Sequence, residues 1–251
     1  VAASHRLLVR AGYVRQVGAG LWSFMPLGYR TLTRTMQVIR EEMDAIGCQE
    51  LLMPVMHPED LWRQTGRNEI PELFKLQDRK GSELVLAMTH EETIALHAAA
   101  EIRSYRDLPQ CWYQFQTKER DEPRPQGGLL RTREFIMKDA YSLDRDPEGL
   151  QESYDAQAGA YRRIFERLGL RFYEVESDVG MMGGSAAMEY MAPSPAGEDR
   201  IALSEDGSYA ANVELAVSRA SVPDFGPEEP LHEIHTPGIT TIEQLAEYVG
   251  R

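Results

Sequence analysis

Cysteine is nearly absent: Cys48 and Cys111 are the only two in 251 residues. They form no close pair in sequence and no metal-ligand spacing, so reduced thiols in a reducing compartment are expected. Basic charge is also short, with 27 Lys and Arg against 40 Asp and Glu and a formal net charge of -13. That argues against general adhesion to nucleic acid through bulk charge, while leaving room for a local basic face. No apolar run approaches the roughly 20 residues that span a bilayer, and no charged-then-apolar leader opens the chain. A soluble, cytoplasmic protein with no membrane partner is expected. The chain starts at Val1 with no initiator Met, and its first residues are read as missing. Apolar residues make up 42 %, enough for one sizeable core, or one domain with an appendage.

The densest chemistry lies between Phe115 and Asp139, FQTKERDEPRPQGGLLRTREFIMKD. An extended run, a Pro- and Gly-rich turn from Pro123 to Gly128, and a second extended run read as a hairpin with a long loop. Lys118, Arg120 and Glu122 on one arm, and Arg131 and Arg133 on the other, recur at even spacing. Side chains two apart on a strand share a face, so one face should be ionic. A solvated sheet surface accounts for that pattern. An anion site accounts for it too, because an Arg fork grips phosphate or carboxylate while a neighbouring carboxylate takes an amino group.

Ahead of the hairpin, Leu7, Leu8, Ala11 and Val14 predict a helix over 1–17, ended by Gly18 and Gly20. Leu21 to Gly28 reads as a strand and turn. Leu32, Met36, Ile39, Met43 and Ile46 predict a long amphipathic helix that Gly47 closes. Gln49 to Met53 reads as a strand stopped by Pro54, Pro58 to Thr65 as a short helix with Trp62 inward, 68–80 as irregular, and Glu83 to Ala87 as a strand. Thr89 and Glu92 have the spacing of a capping box at the head of the next helix. His90 and His97 lack the spacing of a zinc helix, so no metal is assigned to the protein itself.

Beyond the hairpin, Asp146-Pro147-Glu148 marks a helix start, and Leu150, Tyr154, Ala158, Tyr161, Phe165 and Leu168 form its core face. Arg171 to Val175 reads as a strand. The run from Gly180 to Tyr190 is glycine-rich without the Lys-Ser/Thr ending of a P-loop. Its glycines fit either a tight turn or the close approach of backbone to a small substrate. A hairpin is expected around Asp206-Gly207, a linker over Pro223 to Pro237, and a final helix over Thr240 to Val249.

Arg120-Asp121-Glu122, the loop, Arg131 to Phe135 and Asp139 resemble motif 2 of the class II aminoacyl-tRNA synthetases. REFIMKDAYS is most similar to the bacterial type of prolyl-tRNA synthetase. The long helix, strand and Pro54 resemble motif 1, which supplies the dimer interface in that family. Thr89 and Glu91 match a Thr-x-Glu that binds the amino acid. The segment around Gly183, Gly184, Ser185 and Glu189 resembles another stretch of the same enzymes, with Tyr190 in place of Phe. The sequence departs from the family at Glu119, usually Phe, and at Gln126-Gly127, usually Arg-Phe.

The resemblance implies an α+β fold, an antiparallel sheet flanked by helices. Residues 1–222 would be the N-terminal part of the catalytic domain, and 223–251 a linker and first helix of an editing-type insertion. Motif 3 and an anticodon-binding domain are not found in the sequence. The implied reaction is ATP-dependent activation of L-proline and its transfer to tRNA(Pro), with Mg²⁺ and a homodimer. Arg120 would stabilise the α-phosphate and the substrate carboxylate. Thr89, Glu91 and Glu189 would border the proline, and Glu122, Leu130, Arg131, Phe135 and Asp139 would serve ATP. A threonyl or seryl enzyme of the same subgroup, or a non-catalytic remnant that binds ATP or proline, are the alternatives.

Overall fold

The structure, a computed structural model, describes residues 2–180, 183–184, 186–195, 197–218 and 233–249. Two compact units are present, Val1–Leu215 and Ala216–Arg251. The second contributes one described helix, α6 (Ile242–Val249), whose first turn is capped where Gln244 donates its backbone N–H to Thr241 Oγ1 at 3.2 Å. Most of the expected linker lies outside the described residues.

The first unit opens with helix α1 (Ala3–Arg10) and a tight hairpin of β1 (Val14–Gly18) and β2 (Leu21–Phe24). The helix is shorter than its apolar spacing predicted. Gly12 turns the chain at φ 73°, and Val14 becomes the buried residue of a strand. Helix α2 (Pro26–Ala45) follows, with Pro in its first turn, where no amide donor is lost, and Gly47 beyond its end at φ 83°. Strand β3 is only Gln49–Glu50: Leu51 N still bonds to the Tyr113 carbonyl at 2.9 Å, and by Met53 the backbone N–H donates instead to a side chain, Gln114 Oε1, at 3.0 Å.

A small sheet of β4 (Met56–Pro58), β6 (Glu83–Leu86) and β5 (Lys75–Gln77) is packed by helix α3 (Glu59–Thr65). Trp62 is wholly buried there with Leu73, Val85 and Met88, as its inward placement on α3 predicted. Burying a side chain of that size contributes about 3 kcal/mol. Helix α4 (Glu91–Glu101) then leads into the central hairpin, β7 (Gln110–Glu119) against β8 (Glu134–Leu143), paired from Gln110↔Leu143 to Glu119↔Glu134. β3 joins β7 in parallel, an exception to an otherwise antiparallel sheet.

That pairing sets Gln49 beside Trp112, so the residues just before them, Cys48 and Cys111, sit with Cα atoms 4.6 Å apart and form a disulfide. The expectation of two reduced thiols is therefore corrected, and the cysteine argument for a reducing compartment goes with it. A sequence separation of 63 conceals a contact that strand register creates.

Helix α5 (Pro147–Arg167) starts as predicted, with Asp146 accepting from Gly149 N at 2.8 Å. It lies along α2, where Arg163 and Arg167 reach Glu42 at 2.6 and 2.8 Å. Its buried stripe begins only at Ala158, so Leu150 and Tyr154, expected in the core, are exposed. Farther along, Tyr161 and Phe165 pack with Phe172 and Tyr190. The last sheet orders β10 (Ala187–Met191), β9 (Tyr173–Ser177), β12 (Ala210–Asn212) and β11 (Ile201–Leu203), with Asp206-Gly207 turning the β11–β12 hairpin as expected.

Candidate active site

The loop end of the β7–β8 hairpin faces a cleft of about 630 Å³. Arg120, Glu122, Leu130, Arg131 and Phe135 all line it, so five residues singled out from the sequence come together. The cleft takes in both faces of the hairpin, with Thr117, Glu134 and Ile136 on the second face, and Trp22 and Phe24 of β2 as an apolar wall. β2 is brought there by its own turn. Gly20, at φ 74°, accepts from Arg133 N at 2.9 Å, and a Cβ on Gly20 would stand 2.9 Å from that nitrogen. Only glycine allows the approach.

The hairpin loop is braced by its own charges. Arg131 Nε pairs with Glu122 at 2.9 Å, Arg133 Nε donates to the Glu122 carbonyl at 3.0 Å, and Gln126 bridges backbone to Arg131. The Arg131 contact holds the Glu122 carboxyl below the usual range. Arg120 differs from these neighbours. It is half-buried, makes only long contacts to the Met88 carbonyl at 3.3 and 3.4 Å, and stands over the Phe135 ring at 5.2 Å. Among the described residues no carboxylate pairs with it. Burial disfavours its charge, while Glu91 and Glu72 favour it.

Glu119 N bonds to the Ala87 carbonyl at 3.0 Å, which carries the next segment, Thr89 to Glu91, alongside the end of β7. Thr89 is not the cap of α4. The helix begins at Glu91 with His90 before it and no side-chain cap, so the capping box is corrected. Thr89 Oγ1 instead donates to Glu91 Oε2. Glu92 turns inward and accepts from Thr65 at 3.0 Å. Glu91 is close enough for its charge to favour the protonated forms of Arg120, Lys118 and Tyr141. A carboxylate and a half-buried guanidinium thus adjoin, a pairing with the chemistry to take an ammonium and an anion side by side.

Behind them the hairpin's polar face is buried, which excludes the solvated-surface reading for Lys118. That residue is wholly buried, 2.8 Å from Asp139 Oδ1 and against His90 Nδ1. Asp139 also accepts from Gln114 at 3.0 Å and Tyr141 at 2.6 Å, so it sits behind the cleft wall. His90 Nε2 donates to the Pro54 carbonyl at 3.0 Å, leaving Nδ1 to accept from Lys118. Burial, and next the Lys118 charge, lower the His90 pKa to about 4.

Glu189 is exposed on β10, opposite Val175, and does not line the cleft. Part of its glycine-rich segment, residues 181, 182 and 185, lies outside the described residues. The sequence reading missed Tyr141 and Arg67. Tyr141 was detectable, being two residues beyond Asp139 on the same strand face. Arg67 had no local signal.

A family model described as tRNA synthetase class II core domain (G, H, P, S and T) matches residues 74–223. The proline–tRNA ligase of Thermodesulfovibrio yellowstonii is 50 % identical over 99 % of this chain and 44 % of its own length. That of Acidobacterium capsulatum is 49 % identical over 99 % of this chain and 43 % of its own length. The chain therefore spans less than half the length of these relatives. Prolyl-tRNA synthetase of Cryptosporidium parvum, solved with L-proline and AMP, has a TM-score of 0.66 at 19 % identity, covering 74 % of this chain and 38 % of that one. The Giardia lamblia enzyme with prolyl-adenylate gives 0.64 at 23 % identity over 68 % of this chain and 36 % of that one. At such identities the likeness establishes the fold.

Proposed function

The chain belongs to the class II aminoacyl-tRNA synthetase core family, and on that premise we propose that its cleft binds ATP and L-proline for the prolyl-adenylate step of a proline–tRNA ligase. The observation that carries this reading is Arg120, a half-buried cation that lines the cleft and has no carboxylate paired to it among the described residues. The identity of about half the aligned positions with proline–tRNA ligases supports proline as the amino acid.

In this mechanism a proline carboxylate oxygen attacks the α-phosphorus of ATP in line and pyrophosphate leaves. Arg120 stabilises charge on the phosphate and the attacking carboxylate, a preorganised role that needs no proton transfer. Glu91 holds the ring ammonium of proline, with Thr89 fixing the carboxylate's orientation. Glu122 and the backbone near Leu130 position the adenine, Phe135 stacks on it, and Arg131 keeps Glu122 in place. Asp139 serves from behind by holding Lys118 and Tyr141. Glu189, exposed on β10, takes no contact in this reading. No group of three or more His, Cys, Asp or Glu that could hold a metal occurs among the described residues. Mg²⁺ accompanying the nucleotide would supply neutralisation of the pyrophosphate charge. The acyl group then passes to tRNA(Pro), a role in protein synthesis that places the protein in the cytoplasm. Exposed Leu27 and Tyr29 at the head of α2 fit pairing with a second copy. Residues 1–222 form the catalytic part in this reading, and 223–251 the start of an insertion.

Calorimetric titration with a non-hydrolysable prolyl-adenylate analogue, with seryl and threonyl analogues as controls, tests the proposal. Selective prolyl binding is expected, weakened about a hundredfold or more by Arg120→Ala at unchanged circular dichroism. Equal affinity for the three analogues, or an Arg120→Ala protein that binds like the parent, removes the assignment.

A further inference from the structure

Arg67 lies in the short turn after α3, outside the cleft lining, yet it reaches both carboxylates at the head of α4. Its Nη1 is 3.3 Å from Glu92 Oε1 and 3.7 Å from Glu91 Oε2. The two acids are adjacent in sequence but differ in surroundings. The Glu92 side chain is 1 % exposed, accepts from Thr65 at 3.0 Å, and has a buried Oε2 with no partner. The Glu91 side chain is 35 % exposed, and its Oε2 is claimed by the Thr89 hydroxyl as well as Arg67.

From this geometry we infer that Arg67 is a positioning residue for the amino-acid ammonium, holding Glu91 Oε2 so that Oε1 is presented to the substrate nitrogen. The inference rests on the reading of Glu91 as the ammonium site. Two neighbouring carboxylates without a cation between them repel, and the more exposed one swings outward. The Arg67 Nη1, hydrogen-bonded to Glu92 and within ion-pair range of Glu91, sets a positive charge between the two, offsets the repulsion and adds to the Thr89 hydroxyl in holding Glu91 Oε2 inward. Thr65 and Arg67 flank one turn of backbone closed by Gly66 at φ 73°, so the cation is anchored to α3 and is not a free side chain swept across the surface. Arg67 makes no contact with substrate in this scheme. It acts through Glu91, and a displacement of that carboxylate by a fraction of an ångström is enough to weaken a charge-assisted hydrogen bond.

The test compares L-proline with tetrahydrofuran-2-carboxylate, which keeps the ring and the carboxylate but replaces the ammonium by an ether oxygen. Binding of each is measured by calorimetry on the full chain with saturating AMP. The parent should prefer proline. Arg67→Met should weaken proline about tenfold and leave the ether analogue unchanged, and Arg67→Lys should restore part of the preference because it returns the charge without the fork. Glu91→Gln should abolish the preference. Circular dichroism verifies the fold of each variant, and Arg67→Gln replaces the Met variant if that one does not fold. A merely structural Arg67 lowers both ligands alike or neither, and either result overturns the inference while Glu91→Gln still abolishes the preference. A Glu91→Gln protein that keeps the full preference overturns the ammonium site itself, and the role of Arg67 with it.

Discussion

Lys118 and Glu119 are neighbours on β7 whose side chains face opposite sides of the hairpin, and the two sides treat charge in opposite ways. On the first, Lys118 meets Asp139 at 2.8 Å, and Asp139 has Gln114 and Tyr141 as further donors. On the second, Glu119 stands directly across the ladder from Glu134, a like charge. Burial, and then that partner, push the Glu119 carboxyl up to about 7. One side is a satisfied ionic knot and the other an electrostatic conflict. The satisfied side supports Thr89, Glu91 and Arg120, where geometry must be held. The conflict falls at the rim of the cleft, where Glu134 is exposed and solvent absorbs part of the cost. Alternation along a strand lets both exist one residue apart.

The largest break in this contrast comes from removing the cation. Lys118→Met leaves Asp139 buried without its charge partner, and a loss of about 3–5 kcal/mol of stability is expected by urea unfolding. A loss below about 1 kcal/mol would mean that the knot is not ionic.

His90 gives the next effect. Its pKa falls from 6.5 in the unfolded chain to about 4 in the native one, so the unfolded state takes up a proton first as pH drops. Native stability tied to neutral His90 is present above pH 6.5 and is lost as pH falls toward about 4, by roughly 2–3 kcal/mol. His90→Gln keeps a donor for Pro54 and an acceptor for Lys118 without titrating. Its unfolding free energy should lack this acid loss, and a variant that declines like the parent over that window would locate the loss elsewhere.

The hairpin, α2, α3 and the start of α5 were legible because their signals are local. Proline in a first turn, Asp146 at a cap, Gly47 past an end and alternation in FQTKE each act within a few residues. Family motifs added Arg120, Glu122, Leu130, Arg131 and Phe135, which the structure sets around one cleft. What escaped was made by register and by packing between distant segments. Cys48 meets Cys111 because β3 pairs with β7, and Arg67 reaches Glu91 because α3 packs beside α4. Thr89 shows the opposite failure. A correct local pattern, Thr followed by Glu three residues on, was overridden because Glu92 found Arg67 and Thr65 to bond and the helix began one residue later, with His90 at its cap.

The smallest effect sharpens the comparison most, because its sign is reversed. Glu119 titrates near 4.5 when unfolded and about 7 when folded, so as pH rises the unfolded chain releases its proton first. The native state therefore loses stability between about pH 4.5 and 7, and above that the penalty is constant. The position is largely solvent-screened, which reduces the cost to the order of 1 kcal/mol. Glu119→Gln should stabilise the protein by about that amount at pH 8 and by almost nothing at pH 4.5, read as a shift in urea midpoint at constant m. Between pH 4.5 and 6.5 this gain on acidification opposes the loss from His90, so the parent's stability changes less with pH than either group alone dictates. Glu119→Gln should then steepen the acid decline that His90→Gln removes. Equal stabilisation at both pH values would trace the gain to side-chain packing at residue 119, and the contrast between the two faces would no longer be one of charge.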